Sequence, residues 1–263
     1  MKMFDSHLHI INYDFEIKEN NGYLPPSYGI EDYQKEVKEL DVLGGAIVSG
    51  SFQGYDQNYL IDALDKLDGK FVGVTQLPYT VKDDELIMLN NCGVRGLRFN
   101  VKRGGSEDLS KLEYLAKRVY EVVGWHTELY IDSKNLPEIS TTIKKLPAVS
   151  IDHLGLSQEG ISDLLELVDR NVRVKATGFS RGNLDIAKTL KEIYQLNPNA
   201  LMFGTDLPST RAPQRFTKDD IKIIEQHFDE TECEKIFYKN AMNWYRIQDN
   251  LSLIHISEPT RPE

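Results

Sequence analysis

Asp5, His7 and His9 alternate along FDSHLH near the amino end, His153 closes AVSIDH in the middle, and Asp206 closes LMFGTD near the carboxyl end. Side chains two apart on a strand share a face. Asp5, His7 and His9 are therefore expected on one face, as are Val149, Ile151 and His153, and Met202, Gly204 and Asp206. Two imidazoles facing an interior are costly to bury unless they hold a metal, a water or a substrate. A lone HxH is a weak signal, since two hydrogen-bonded polar residues would account for it. His153 and Asp206, each at the end of its own run, change that balance. Imidazoles can polarise a carbonyl or ligate a metal, and a carboxylate can take a proton from water.

These residues converge only if their strands do. Short β-branched or aromatic runs (MFDSHLH, GGAIVSG, FVGVTQLP, VRGLRF, HTELYID, AVSIDH, VRVKATG, LMFGTDLP) alternate with amphipathic, charged stretches. Helices are expected over Tyr59–Leu67, Leu109–Val122, Ile161–Asp169 and Ile186–Tyr194; Leu112, Leu115, Ala116, Val119 and Val123 form one apolar helical stripe. Asp83-Asp84 and Ser157 sit where N-caps belong. Eight strand-then-helix units in 263 residues predict an α/β fold, a single-domain (β/α)8 barrel. An open doubly wound sheet usually carries a Gly-rich turn after its first strand, and here the long segment Ile11–Gly29 follows instead. In a closed barrel the first and last strands are neighbours, so the His and Asp positions meet at the carboxyl face. The barrel is expected over residues 1–249. Residues 250–263, including His255, lack the rhythm and read as adapter or vector sequence.

Composition narrows the function. With 31 Lys+Arg against 41 Asp+Glu, the net charge of -10 argues against a nucleic-acid partner, which needs clustered basic residues. No apolar run reaches the roughly 18–20 residues of a membrane span. Cys92 and Cys233 are too few for a disulfide framework, and no apolar signal region follows the start; both fit a cytoplasmic enzyme. Cys92 is expected to be a buried thiol without a role, and His227 an exposed helical residue.

The elements FDSHLH, GVRGLRFN, SIDHLG, VKATGFSR and FGTDLP, in this order over roughly residues 3 to 245, resemble the amidohydrolase-related family, in particular its lactonase branch. The resemblance implies a barrel hydrolase in which Asp206 is the base that activates water. It also implies that Arg98, Arg181 and, from the next loop, Arg103 bind a substrate carboxylate, with Tyr130 as a further contact; guanidinium forks suit carboxylates. Arg95 is expected to make an outer-face salt bridge, His126 to be structural, and Ser209, Thr210 and Arg211 to lie near the mouth. Tyr130 or Asp132 stands where binuclear relatives keep a histidine, and Lys175 lies on a later strand than their bridging lysine, so a two-metal centre is not expected.

The leading expectation is hydrolysis of a carboxylated lactone or similar cyclic ester: His153, with His7 or His9, polarises the carbonyl while Asp206 takes a proton from water. His7, His9, His153 and Asp206 would equally suit one Zn2+ or another divalent ion, and the same histidines could instead bind substrate without metal. A metal-dependent decarboxylase of an unsaturated or aromatic acid is the alternative, and a barrel that only binds a ligand is a third. The expected partner is a small carboxylate-bearing molecule; oligomeric state is open.

Overall fold

Apolar runs dense in Val, Ile and Ala become strands, and the stripes between them become helices, in a computed structural model that describes residues 1–67 and 70–247. The strands are β1 (Lys2–Leu8), β2 (Asp41–Val48), β3 (Phe71–Thr75), β4 (Val94–Asn100), β5 (His126–Tyr130), β6 (Val149–Ile151), β7 (Arg173–Ala176) and β8 (Leu201–Phe203). They form one parallel sheet in sequential order β1 to β8. Helices α1 (Ile30–Val37), α2 (Asn58–Lys66), α3 (Asp83–Asn91), α4 (Leu112–Val123), α5 (Leu136–Ile143), α6 (Ile161–Asp169), α7 (Ile186–Leu196) and α8 (Lys218–Glu225) follow successive strands. The chain then runs through α9 (Glu230–Glu234) and a π-turn (Lys235–Lys239) into α10 (Asn240–Trp244). The architecture is a (β/α)8 barrel. The expected tail, 250–263, lies outside the described residues.

Two apolar layers hold it. The larger, with Met3, Leu8, Ile47, Leu97, Leu129, Ile151, Val174 and Phe203, faces the helices. The smaller packs Phe4, Ala46, Val48, Val72, Val74 and Met202 against Ala241, Met242 and Tyr245, so the α10 segment stoppers the barrel from below. Between β1 and β8 the seam is closed by backbone bonds past the strand ends: Asp206 N donates to His7 O at 2.8 Å, and His9 N to Leu207 O at 2.8 Å. A Cβ at Gly204 would lie 2.6 Å from His7 N, so glycine permits this approach.

Local signals differ from expectation in places. Lys82, not Asp83, is the N-cap of α3, and Asp83, Asp84 and Glu85 fill its first turn, where negative charge meets the helix dipole. Ser157 precedes a short 3-10 turn, and Gly160 is the N-cap of α6. Cys92 is only partly buried, and His227 is partly buried, with Nδ1 2.7 Å from Ile223 O. Arg95 makes no outer-face salt bridge among the described residues and donates to Asn90 O and Val94 O.

Candidate active site

Strand alternation delivers the predicted residues to one end of the barrel, with two departures. In β1 the register against β2 shifts between Asp5 and Leu8. Asp5 consequently leaves the face of His7 and His9: its carboxylate accepts Tyr33 OH from α1 at 2.9 Å and the Thr205 backbone N–H at 2.8 Å. In β6, Val149 and Ile151 join the helix-side core, while Asp152 reaches inward to Arg98. His153 arrives from the strand end instead, in the left-handed region with φ +53°, and Asp206 does the same with φ +59°. Such backbone is costly for residues with a Cβ and is held in place by its surroundings.

The centre is a set of buried polar atoms with defined directions. Asp206 Oδ2 accepts Arg181 Nε at 2.6 Å. Its Oδ1 has no partner and stands 3.9 Å from both His7 Nε2 and His9 Nε2. One interposed oxygen could bond across each gap. His9 Nδ1 lies 2.7 Å from Val48 O; a carbonyl only accepts, so this nitrogen carries the proton and Nε2 offers a lone pair. His7 Nδ1 lies 3.3 Å from Lys175 Nζ, and its Nε2 is buried without a partner. His153 Nδ1 is 2.7 Å from Thr177 Oγ1, and its ring packs on His7 and Tyr130 with both centroids at 4.8 Å.

Burial sets the protonation of these groups. It raises the Asp206 pKa, against the charge and hydrogen bond of Arg181. Burial, followed by Lys175, lowers His7 well below the ordinary imidazole value; burial, followed by Arg98, takes His9 down to about 3. Burial, then Arg181, lowers His153 likewise. All three imidazoles are neutral near pH 7, as ligands or hydrogen-bonding groups require.

A cleft opens above them, lined among others by His9, Arg98, Arg103, Tyr130, His153 and Arg181. Arg98 is already engaged, donating to Ser49 O at 2.5 Å and Asp152 Oδ2 at 2.9 Å. Arg181 pairs with Asp206. Arg103 Nε has no partner among the described residues. Arg211 reaches the cleft from past β8; burial and then the nearby charge of Arg103 lower its pKa. It also holds the Ile11–Gly29 segment, donating to Asn20 Oδ1 at 3.0 Å and lying 4.3 Å over the Tyr23 ring. The structure thus brings His7, His9, Arg98, Arg103, Tyr130, His153, Arg181 and Asp206 to one end of the barrel. His126 stands apart, bonded to Glu128 at 2.9 Å and packed on Trp244 at 4.6 Å, below the cleft.

Sequence reasoning passed over Asp152, which anchors Arg98; its neighbour Ser150 in the same short run carried the signal of an inward polar face. Lys175, wholly buried and bonded to the equally buried Glu128, is visible in the sequence only as an out-of-place lysine. In spacing, two groups could hold a metal ion: the ligand atoms of His7, His9 and Asp206, and those of His7, Asp152 and His153, each lie within 4.8 Å of one another. Among the described residues no helix is long and apolar enough to cross a membrane.

Comparison with known proteins agrees with this fold. The chain is 25% identical over 247 residues to 2-pyrone-4,6-dicarbaxylate hydrolase of Comamonas testosteroni, covering 83% of this chain and 81% of that one. It is 27% identical over 231 residues to 4-sulfomuconolactone hydrolase of Rhizobium radiobacter, covering 78% and 75%. A crystal structure from Pseudomonas putida, assigned as a 2-pyrone-4,6-dicarboxylic acid hydrolase, superposes with a TM-score of 0.78 at 25% identity, over 93% of this chain and 97% of that one. A family model described as Amidohydrolase matches residues 4–247. The chain is a hydrolase and belongs to the amidohydrolase family.

Proposed function

We propose that this hydrolase opens a carboxylated lactone or similar cyclic ester, with Asp206 as the base. One observation carries the reading: Asp206 Oδ1 is buried, unpartnered and 3.9 Å from two imidazole nitrogens. That is the place for an attacking water. Water donates one O–H to Asp206 Oδ1 and the other to the lone pair of His9 Nε2. As its oxygen bonds to the ester carbonyl carbon, Asp206 takes the proton, and the ring C–O bond then breaks as that proton passes to the leaving alkoxide. Because His9 presents a lone pair, it holds the water rather than the carbonyl. Polarisation of the carbonyl oxygen falls to His7, with His153 beside it.

The acid group of the substrate is taken by arginines. Arg98 and Arg181 spend donors on Asp152 and Asp206, so Arg103, with Nε free, is the principal clamp, and Arg98 and Arg181 complete the positive wall with Tyr130. The names of the relatives support this class, since both describe hydrolysis of cyclic esters that carry acid groups.

A single divalent ion would fit His7, His9 and Asp206 in spacing, and when bound it would lower the pKa of a coordinated water. In protonation the set does not fit: Nδ1 of His7 faces the Lys175 amino group, which leaves the ring proton on Nε2, where a metal needs a lone pair.

Asp206→Asn tests the reading. With a carboxylated lactone as substrate and ring opening followed by absorbance, kcat is expected to fall by about 10³-fold, within the range for loss of a general base, while circular dichroism is unchanged. Turnover within threefold of the wild type refutes the assignment.

A further inference from the structure

Below the cleft, the adjoining segments from β4 to β7 each send one charged side chain inward: Arg98, Glu128, Asp152 and Lys175, none more than 2% exposed. Arg98 pairs with Asp152 at 2.9 Å. Lys175 donates to Glu128 Oε2, lies 3.9 Å from Asp152 Oδ1 and 5.8 Å from the Tyr245 ring centroid, and points in a further direction at His7 Nδ1, 3.3 Å away. Glu128 is held in place by Tyr245 OH at 2.7 Å and His126 Nε2 at 2.9 Å. The amino group is thus fixed from several sides, and the histidine it faces is one of the groups around Asp206 Oδ1.

An ammonium has three donors and no acceptor, and a neutral imidazole has one donor and one acceptor. With Lys175 facing Nδ1, that nitrogen supplies its lone pair and the single ring proton belongs to Nε2. The opposite tautomer would aim N–H at an ammonium, and the nearest carboxylate oxygen, Asp152 Oδ1 at 3.8 Å, is too distant to accept it. We propose that Lys175 is a positioning residue for the hydrolytic reaction: it fixes His7 in the Nε2–H tautomer and so makes it a hydrogen-bond donor to the carbonyl oxygen of the substrate. The inference rests on the lactone reading only for what the donor acts upon; the tautomer is a property of the free protein. It also gives two neighbouring histidines opposite roles, set from outside the cleft: the Val48 carbonyl makes His9 an acceptor, and Lys175 makes His7 a donor.

The test is long-range proton–nitrogen NMR on the full chain with 15N-labelled histidine, the His7 signals being assigned by their loss in His7→Asn. The wild type is expected to show His7 protonated on Nε2 with Nδ1 as an acceptor, and Lys175→Met to lose that preference. With a carboxylated lactone, Lys175→Met is expected to lose about 10²-fold in kcat, the scale of one oxyanion donor, with KM within threefold. Because Lys175→Met strands Glu128, the neutral pair Lys175→Met/Glu128→Gln is measured beside it and is expected to show the same tautomer change and the same fall in kcat. A His7 ring protonated on Nδ1 in the wild type overturns the proposal, as does an unchanged tautomer in the folded variants or a loss confined to KM. If the wild type turns over no lactone, the functional reading fails by itself, and the tautomer measurement still decides the role of Lys175.

Discussion

The barrel interior is built in two ways. On the side of β2 and β3 it is filled by Ala46, Val48, Val72 and Val74; on the side of β4 to β7 the corresponding fill is Arg98, Glu128, Asp152 and Lys175. The apolar side needs only shape. Each of its residues adds burial independently, and a lost methyl leaves a cavity whose cost stays local. The ionic side works only as a set, because a buried charge is tolerated while its partner is present and becomes a large penalty when the partner goes. On the proposed mechanism the difference marks a division of labour: one wall closes the barrel, and the other aims the groups that act in the cleft.

That contrast can be broken or sharpened by experiment. The largest stability effect is expected from Asp152→Ala, which leaves Arg98 and Lys175 without a shared counter-charge and should cost about 3–5 kcal/mol by urea unfolding. Pairing it with Arg98→Met should recover most of that loss, because the double variant removes both charges; strictly additive losses would show that the pair is no unit. Next comes pH. Burial raises the Glu128 pKa, but the charge of Lys175 and the bonds from His126 and Lys175 outweigh it and hold the pKa down at about 2. A depressed carboxylate stabilises the fold above its unfolded pKa of roughly 4.3, and that contribution drains away as pH falls towards the folded value. Unfolding free energy should therefore decline by about 2 kcal/mol between pH 4.5 and 2 through this group, and Lys175→Met/Glu128→Gln should lack that share of the decline. The smallest effect belongs to the apolar wall: Val48→Ala is expected to cost about 2 kcal/mol, with no change in the pH dependence.

The same contrast explains what was legible in the sequence. The apolar wall and the helix stripes follow period rules, so the eight units and the stripe from Leu112 to Val119 are visible without coordinates. His7, His9, His153 and Asp206 are visible because their residue types are expensive inside a barrel. Parity failed where the backbone departs from a regular strand: at the register shift that turns Asp5 towards Tyr33, and at His153, which enters from a left-handed turn after the strand has ended. Asp152 was overlooked for the same reason, since the parity that brought His153 inward assigned its neighbour outward. The Lys175–Glu128 bond joins residues 47 positions apart, and no spacing rule pairs them. The engagement of Arg181 with Asp206 is likewise a matter of three-dimensional proximity.

The seam between β1 and β8 has a consequence for how activity is acquired. His7 and Asp206 are about 200 residues apart in the chain, and the backbone bond between them is among the contacts of highest sequence separation in the molecule. Loop-closure entropy makes such contacts slow to form and unrewarding until most of the intervening chain is ordered. Partly folded forms could hold the β2–β6 arc, with its hydrophobic wall and even Arg98 with Asp152, and still possess no chemistry. On the proposed mechanism, catalytic turnover is therefore a proofreading signal for topology: it reports that the circle has been completed, which helix content cannot report.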